Sequence, residues 1–185
     1  DPNCFLVSPT SYDESMNKMT YSGGPFPENL NRDIVLNLSG NTCVESSLGA
    51  CMLVRTNEFK YIGLFDENFF IYFSDDDLCR RIRKHKKSVI QIYDSKCIHI
   101  HGIVKIKNKY LKKFVRENNY TFDNLYYYYK IHPNHTEVKK ILKKTSSLTI
   151  KFFIKILSLN FIEFAGISAR LFAISRFIYR FKLKI

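Results

Sequence analysis

Short strand-like apolar runs and helical apolar patterns mix along the first 135 residues, and the character of the chain changes after Pro133. Cys4 to Val7 is an apolar run closed by Ser8-Pro9, which predicts a short strand ending there. Residues 10–32 carry Gly23, Gly24, Pro25 and Pro27 among polar residues and predict an exposed loop. Asp33 to Leu38 and Ala50 to Arg55 predict two further strands. Thr56 is placed to cap a short helix over Asn57 to Ile62, which Gly63 ends. Ser74 followed by Asp77 has the form of a capping box and opens a second helix through Leu78 to Arg83. Ser88 to Tyr93 and Cys97 to Ile100 predict strands; Val104 to Glu117 and Phe122 to Ile131 predict helices. Strands and helices interleaved in this way favour an α/β layer over a bundle.

After Pro133 the pattern changes, so the expected division is residues 1–133 as one domain and 134–185 as a helical extension. Thr149 to Ile185 is apolar but interrupted by charge, with no uncharged stretch long enough to predict a spanning helix. On one continuous helix, Lys151, Lys155, Glu163, Arg170, Arg176, Arg180 and Lys184 fall within an arc of roughly 140°. Ile154, Leu157, Phe161, Phe164, Leu171 and Phe172 fall mostly elsewhere. Such a basic amphipathic element fits the surface of an anionic membrane. The alternative is a helical hairpin packed on another part of the same protein.

Charge sharpens this expectation. The 185 residues carry 29 Lys+Arg and 17 Asp+Glu, a net charge of +12. From Lys139 to Ile185 there are eleven cations and, among acids, only Glu163, so +10 of the excess lies in the last quarter. Phosphate groups, nucleic acid or an anionic membrane are the partner classes for such a surface. Nucleic-acid binding would interleave exposed aromatics with the cations, whereas here the Phe and Ile residues fall on an apolar face, so no nucleic acid is expected. Apolar content of 45% and charged content of 25% are ordinary for a folded chain and speak against global disorder. The five cysteines are scattered, with no Cys-x-x-Cys pair; neither a disulfide framework nor a thiolate zinc site is expected, and a reducing cytoplasm fits better. The first residues, Asp1-Pro2-Asn3, carry neither an initiator methionine nor a secretory signal and read as a piece of a longer protein.

The candidate chemistry lies in two clusters. Asp75, Asp76 and Asp77 follow an aromatic run (Phe69, Phe70, Tyr72, Phe73) and open a helix. A helix dipole stabilises each acid there by about 0.3–1 kcal/mol, a sufficient structural reason for one of them. Three repel one another and need partners, and a carboxylate at a strand-to-helix junction can act as a general base or bind a divalent metal. His99 and His101 lie two apart in a strand-like run and should share a face, with Gly102 allowing close approach. Either could meet a metal or a phosphate, although a histidine here is as readily a satisfied buried residue. Asp66-Glu67 either forms a turn or accepts hydrogen bonds from sugar hydroxyls. Gly49-Ala50 either packs or lets a substrate approach.

Gly49-Ala50-Cys51-Met52-Leu53-Val54-Arg55, then Gly63-Leu64-Phe65-Asp66-Glu67-Asn68-Phe69-Phe70-Ile71-Tyr72-Phe73, then Asp75-x-Asp77-Leu78-Cys79-Arg80-Arg81 and His99-x-His101-Gly102 resemble the C-terminal half of family 2 glycosyltransferases, in particular the rhamnosyltransferase-like branch. The resemblance spans about residues 1–130 in order and spacing. It implies a partial GT-A, Rossmann-like α/β domain with a helical C-terminal extension. It also implies inverting transfer from a nucleotide-sugar donor to a saccharide or lipid-linked saccharide acceptor, with Mg²⁺ or Mn²⁺, in polysaccharide synthesis. By the same matching Asp75 would be the base, with Asp77 supporting it. His99 or His101 would face the metal and diphosphate. Gly49, Ala50, Asp66, Glu67 and Ser74 would line the substrate side. Ser74 replaces the family's usual glutamate, which generally assists acceptor binding. The family's nucleotide-binding half, with its Asp-x-Asp motif, would precede Asp1, so the chain alone is expected to be inactive. With the basic tail, the expected location is cytoplasmic, peripheral at the inner face of the plasma membrane. A metal-dependent phosphoesterase, a non-enzymatic membrane-binding module and an inactive remnant are the competing readings.

Overall fold

The computed structural model describes residues 3–16, 23–27, 40–100, 106–132, 134–143 and 145–182. It is a mixed α/β protein whose elements run β1 (Cys4–Tyr12), β2 (Gly23–Gly24), β3 (Thr42–Val44), β4 (Ser46–Ser47), β5 (Leu53–Val54), α1 (Thr56–Tyr61), α2 (Ser74–Lys84), β6 (Ser88–Ile98), α3 (Lys109–Ile131), α4 (Thr136–Lys143), α5 (Thr145–Leu157) and α6 (Phe161–Phe181). They form two compact units: Asp1–Glu67 with Ser74–Ile103, and Asn68–Phe73 with Val104–Ile185.

The first unit is built on a four-stranded sheet of order β3-β6-β1-β5. β1 and β6 run parallel, from Cys4 beside Ser88 to Tyr12 beside Ile98, while β3 and β5 are antiparallel to their neighbours. The expected strands Ser88–Tyr93 and Cys97–Ile100 are one strand here. The ladder passes from Pro9 beside Ile92 to Thr10 beside Lys96, so Tyr93 to Ser95 bulge out of it. Thr10 Oγ1 donates to the carbonyls of Ile92 and Tyr93 at 3.3 and 3.4 Å and holds that bulge. β1 also runs past Pro9, whose missing N–H coincides with this irregularity in the ladder. The expected strand at Asp33–Leu38 lies outside the described residues.

α2 carries Asp75, Asp76 and Asp77 in its first turn and Arg81, Arg83 and Lys84 in its last, matching charge to the helix dipole at both ends. Its buried face, Leu78, Cys79 and Ile82, packs with Phe5, Leu6, Phe26, Val44 and Val89 to form this unit's core. α1 starts at Thr56, the residue predicted to cap it, so Arg55 occupies the N-cap, with no side-chain cap bond, and Gly63 turns the chain at φ +89°.

The second unit is helical. α3 is a single helix of 23 residues where two were expected, and Asn118 and Asn119 lie buried within it, the Asn118 amide donating to Asn119 Oδ1 at 3.0 Å. Its aromatic face (Phe122, Tyr126, Tyr127) packs against Phe69, Val138, Ile174 and Phe177, and that burial overrides the poor helix propensity of the asparagines. α3 thus forms its core with α6, within the unit that also holds α4 and α5.

The region after Thr149 is two helices and not one continuous helix. Leu159 takes a left-handed conformation at φ 52°, and Asn160 caps α6 by accepting from the Glu163 N–H at 3.1 Å. The single cationic arc expected for a continuous helix is therefore cut, and α6 uses its cations internally. Arg170 binds Glu117 through two nitrogens at 2.7 and 2.8 Å, Arg176 lies 4.2 Å over the Phe122 ring, and Arg180 donates to Asn68 Oδ1 at 2.7 Å.

Candidate functional site

The three adjacent carboxylates opening α2 obtain three different partners. Asp75 Oδ2 accepts the backbone N–H of Gly49 at 2.8 Å, and its Oδ1 accepts the Asp76 N–H at 3.1 Å. Asp76 Oδ1 accepts the hydroxyl of Ser46. Asp77 is buried and accepts Arg81 Nε at 2.9 Å. Arg81 also donates to the Ile62 and Leu64 carbonyls at 2.7 and 2.5 Å, so Asp77 fixes the turn that ends α1. Mutual repulsion of the acids is thereby answered by an amide, a hydroxyl and a guanidinium.

Protonation separates the acids further. Burial, then the neighbouring Asp75 charge, pushes the Asp76 carboxyl up to about 7, against a smaller lowering by Ser46. Asp76 therefore exchanges a proton near neutral pH. Asp75 lies beside an exposed turn. Cys79, one turn into the helix from Asp75, has its thiol pushed up to about 12, mainly by burial, and is not a nucleophile at neutral pH.

The turn beside Asp75 is Gly49-Ala50-Cys51, all exposed. A Cβ on Gly49 would lie 3.3 Å from both Cβ and Oδ2 of Asp75, tighter than most real contacts, so glycine here permits the carboxylate to reach the amide. The supports of this corner are polar and buried: Ser47 donates to Ser8 Oγ at 2.6 Å, joining β4 to the sheet.

Of the residues singled out from sequence, the structure brings Gly49 to Asp75 and places Ser74, Asp75 and Asp77 in one helical turn. Asp77 supports the site through Arg81, with its side chain 3% exposed. Asp66 is half-buried and Glu67 exposed, both in the connection after α1. His99 follows β6, its N–H donating to the Tyr12 carbonyl at 2.9 Å, at the carboxyl ends of the two parallel strands. Ser8, which anchors β4 near the acids, is four residues back along β1, about 13 Å at 3.3 Å per residue. His101 lies outside the described residues.

Sequence reasoning named Asp76 within the acid cluster but missed Ser46 and its pairing with Asp76. Thirty residues separate them, and only the fold brings the hydroxyl to the carboxylate. Among the described residues no group of three or more His, Cys, Asp and Glu side chains is arranged to hold a metal ion. At least one oxygen of each acid is engaged here, Asp75 Oδ2 by Gly49, Asp76 Oδ1 by Ser46 and Asp77 Oδ2 by Arg81.

Comparison with protein-family models, with curated proteins and with solved structures finds no match to this chain.

Proposed function

We propose that this chain is the acceptor-side half of an inverting family 2 glycosyltransferase of GT-A fold, with Asp75 as its general base. The observation that carries the reading is the Gly49–Asp75 contact: a carboxylate fixed by a backbone amide at the mouth of an exposed, small-residue turn. A base must be oriented before it is useful, and here one lone pair is committed to that amide while the group stays half-exposed.

In the reaction Asp75 accepts the proton of an acceptor hydroxyl as that oxygen attacks the anomeric carbon of the donor sugar. The bond to the nucleoside diphosphate breaks on the opposite face, and the leaving group departs with the electron pair. Asp77 and Arg81 act as positioning residues, since they tie α2, which carries Asp75, to the turn that ends α1. Glu67, exposed in the segment before α2, and Ser74 at its first turn are the side chains proposed for acceptor hydroxyls, with Asp66 beside them. On this reading Mg²⁺ or Mn²⁺ and the nucleotide belong with an Asp-x-Asp half, and no step is assigned to the metal here.

The test uses saturation-transfer NMR and a turnover assay on the chain as it stands. Saccharide acceptors should give saturation transfer that Asp75→Asn and Gly49→Val weaken, while nucleotide-sugars give no turnover. Saccharide signals untouched by both substitutions would remove the acceptor site from this corner; sugar transfer by the chain alone would contradict the assignment of the donor to a separate half.

A further inference from the structure

We propose that α5, with the adjoining ends of α6 and α3, is a docking surface for an anionic lipid bilayer. This surface stands independently of the sugar-transfer reading.

α5 has two apolar faces. Leu148 packs on the core of its unit and Phe152 meets Phe164 at 4.8 Å between ring centroids. On the other side Ile150, Phe153, Ile154 and Leu157 are exposed, with Leu157 at 84%. Their spacing of i, i+3, i+4 and i+7 makes them one stripe, opposite Leu148 and Phe152. A helix that packs in one core needs only one such stripe.

The patch continues through the turn to α6, where Leu159 is 71% exposed and Phe161 and Ile162 follow it. Phe161 also lines an open apolar groove of about 610 Å³ against Tyr110, Leu111 and Phe114 of α3. Exposed apolar side chains gathered along one helix face and the turn after it mark a binding face.

Charge selects the occupant. Residues 68–73 and 104–185 carry 18 Lys+Arg against four Asp+Glu, a net +14, whereas the remainder of the chain carries 11 against 13, a net −2. The acids of this unit are largely engaged within it. Glu117 is held by Arg170 and Lys113, and Asp123 accepts three backbone N–H groups. Lys107, Lys109, Lys112 and Lys151 are exposed beside the groove or the stripe. A second copy of the chain would bring like charge against like, whereas an anionic bilayer meets both the cations and the apolar stripe. No described helix is long and apolar enough to cross a membrane, so the mode is interfacial, with α5 lying along the headgroup boundary.

The test is co-sedimentation of the whole chain with phosphatidylcholine vesicles, with and without phosphatidylglycerol, at low and high salt. Binding should be at least about tenfold stronger to the anionic vesicles and should weaken with salt. The pair Phe153→Asp and Leu157→Asp should lower binding at least about tenfold with an unchanged thermal midpoint, because both side chains are solvent-facing. Lys109→Gln with Lys151→Gln should lower it about fivefold. Equal binding to neutral vesicles, or indifference to the Asp pair, would overturn the proposal. So would a homodimer in light scattering that the Asp pair dissociates, since a second copy would then occupy the face.

Discussion

The backbone N–H of Gly49 points at Oδ2 of Asp75 across 2.8 Å, and the space a Cβ at Gly49 would need lies 3.3 Å from that same oxygen. Carboxylate placement and the absence of a side chain are thus one requirement. Gly49→Ala should need Asp75 to shift by a few tenths of an ångström, and Gly49→Val more. The expected outcome is a graded loss of acceptor binding, Ala before Val, with a stability change within about 1 kcal/mol for Ala. Thermal midpoints measured beside the NMR titration separate the two effects.

Asp76 makes stability depend on pH in an unusual direction. Its folded value of about 7 lies above the ordinary 3.8, so the native state holds the proton more tightly than the unfolded chain. Stability from this group is full below the ordinary carboxylate range and is lost as pH rises from about 4 to about 7. Asp76→Asn keeps an acceptor for Ser46 and removes the ionisation. At about pH 8 the variant should exceed the parent by up to about 4 kcal/mol, and near pH 4 the two should coincide. Urea denaturation across that range measures it.

Glu117 titrates the other way. Burial alone would raise its carboxyl, but hydrogen bonds and charges from Arg170 and Lys113 outweigh it and hold the group below its ordinary range. Its stabilisation is present above the ordinary glutamate range and is lost as pH falls through the lowered folded value. Arg170 is 40% exposed, so solvent screens the pair and Glu117→Gln should cost at most about 1 kcal/mol at neutral pH. The difference from the parent should vanish in acid.

Asp123 is fully buried and accepts the N–H groups of Phe70, Ile71 and Tyr72, each at 2.9 Å. It organises residues 68–73, which carry Phe69 into the aromatic core of the second unit. Asp123→Ala should destabilise the protein by about 3 kcal/mol or more, since buried charge-assisted bonds lose their acceptor. Hydrogen exchange of those three amides should accelerate with it.

Local signals were legible in the sequence and long-range ones were not. Ser74 to Asp77 announced α2 because capping and dipole preferences act within one turn. The mixed α/β class followed from interleaved patterns. The two helices expected at Val104–Glu117 and Phe122–Ile131 are one in α3, where Asn118 and Asn119 are buried, a packing effect no propensity reports. The break at Asn160 did have a local signal, since Asn160-x-x-Glu163 has the cap spacing, but the surrounding apolar run concealed it. At the site, Asp75 was legible from the helix start. Its bond to Gly49 and the pairing of Asp76 with Ser46 span 26 and 30 residues and depend on how β4 and its following turn meet α2.

Sugar transfer measured in a protein that joins this chain to an Asp-x-Asp nucleotide-binding half tests the role of Asp75 most directly. Asp75→Asn should lower kcat by about 10²–10⁴-fold with its fold intact, while Asp66→Asn acts mainly on the acceptor KM. Undiminished kcat in Asp75→Asn would contradict the account.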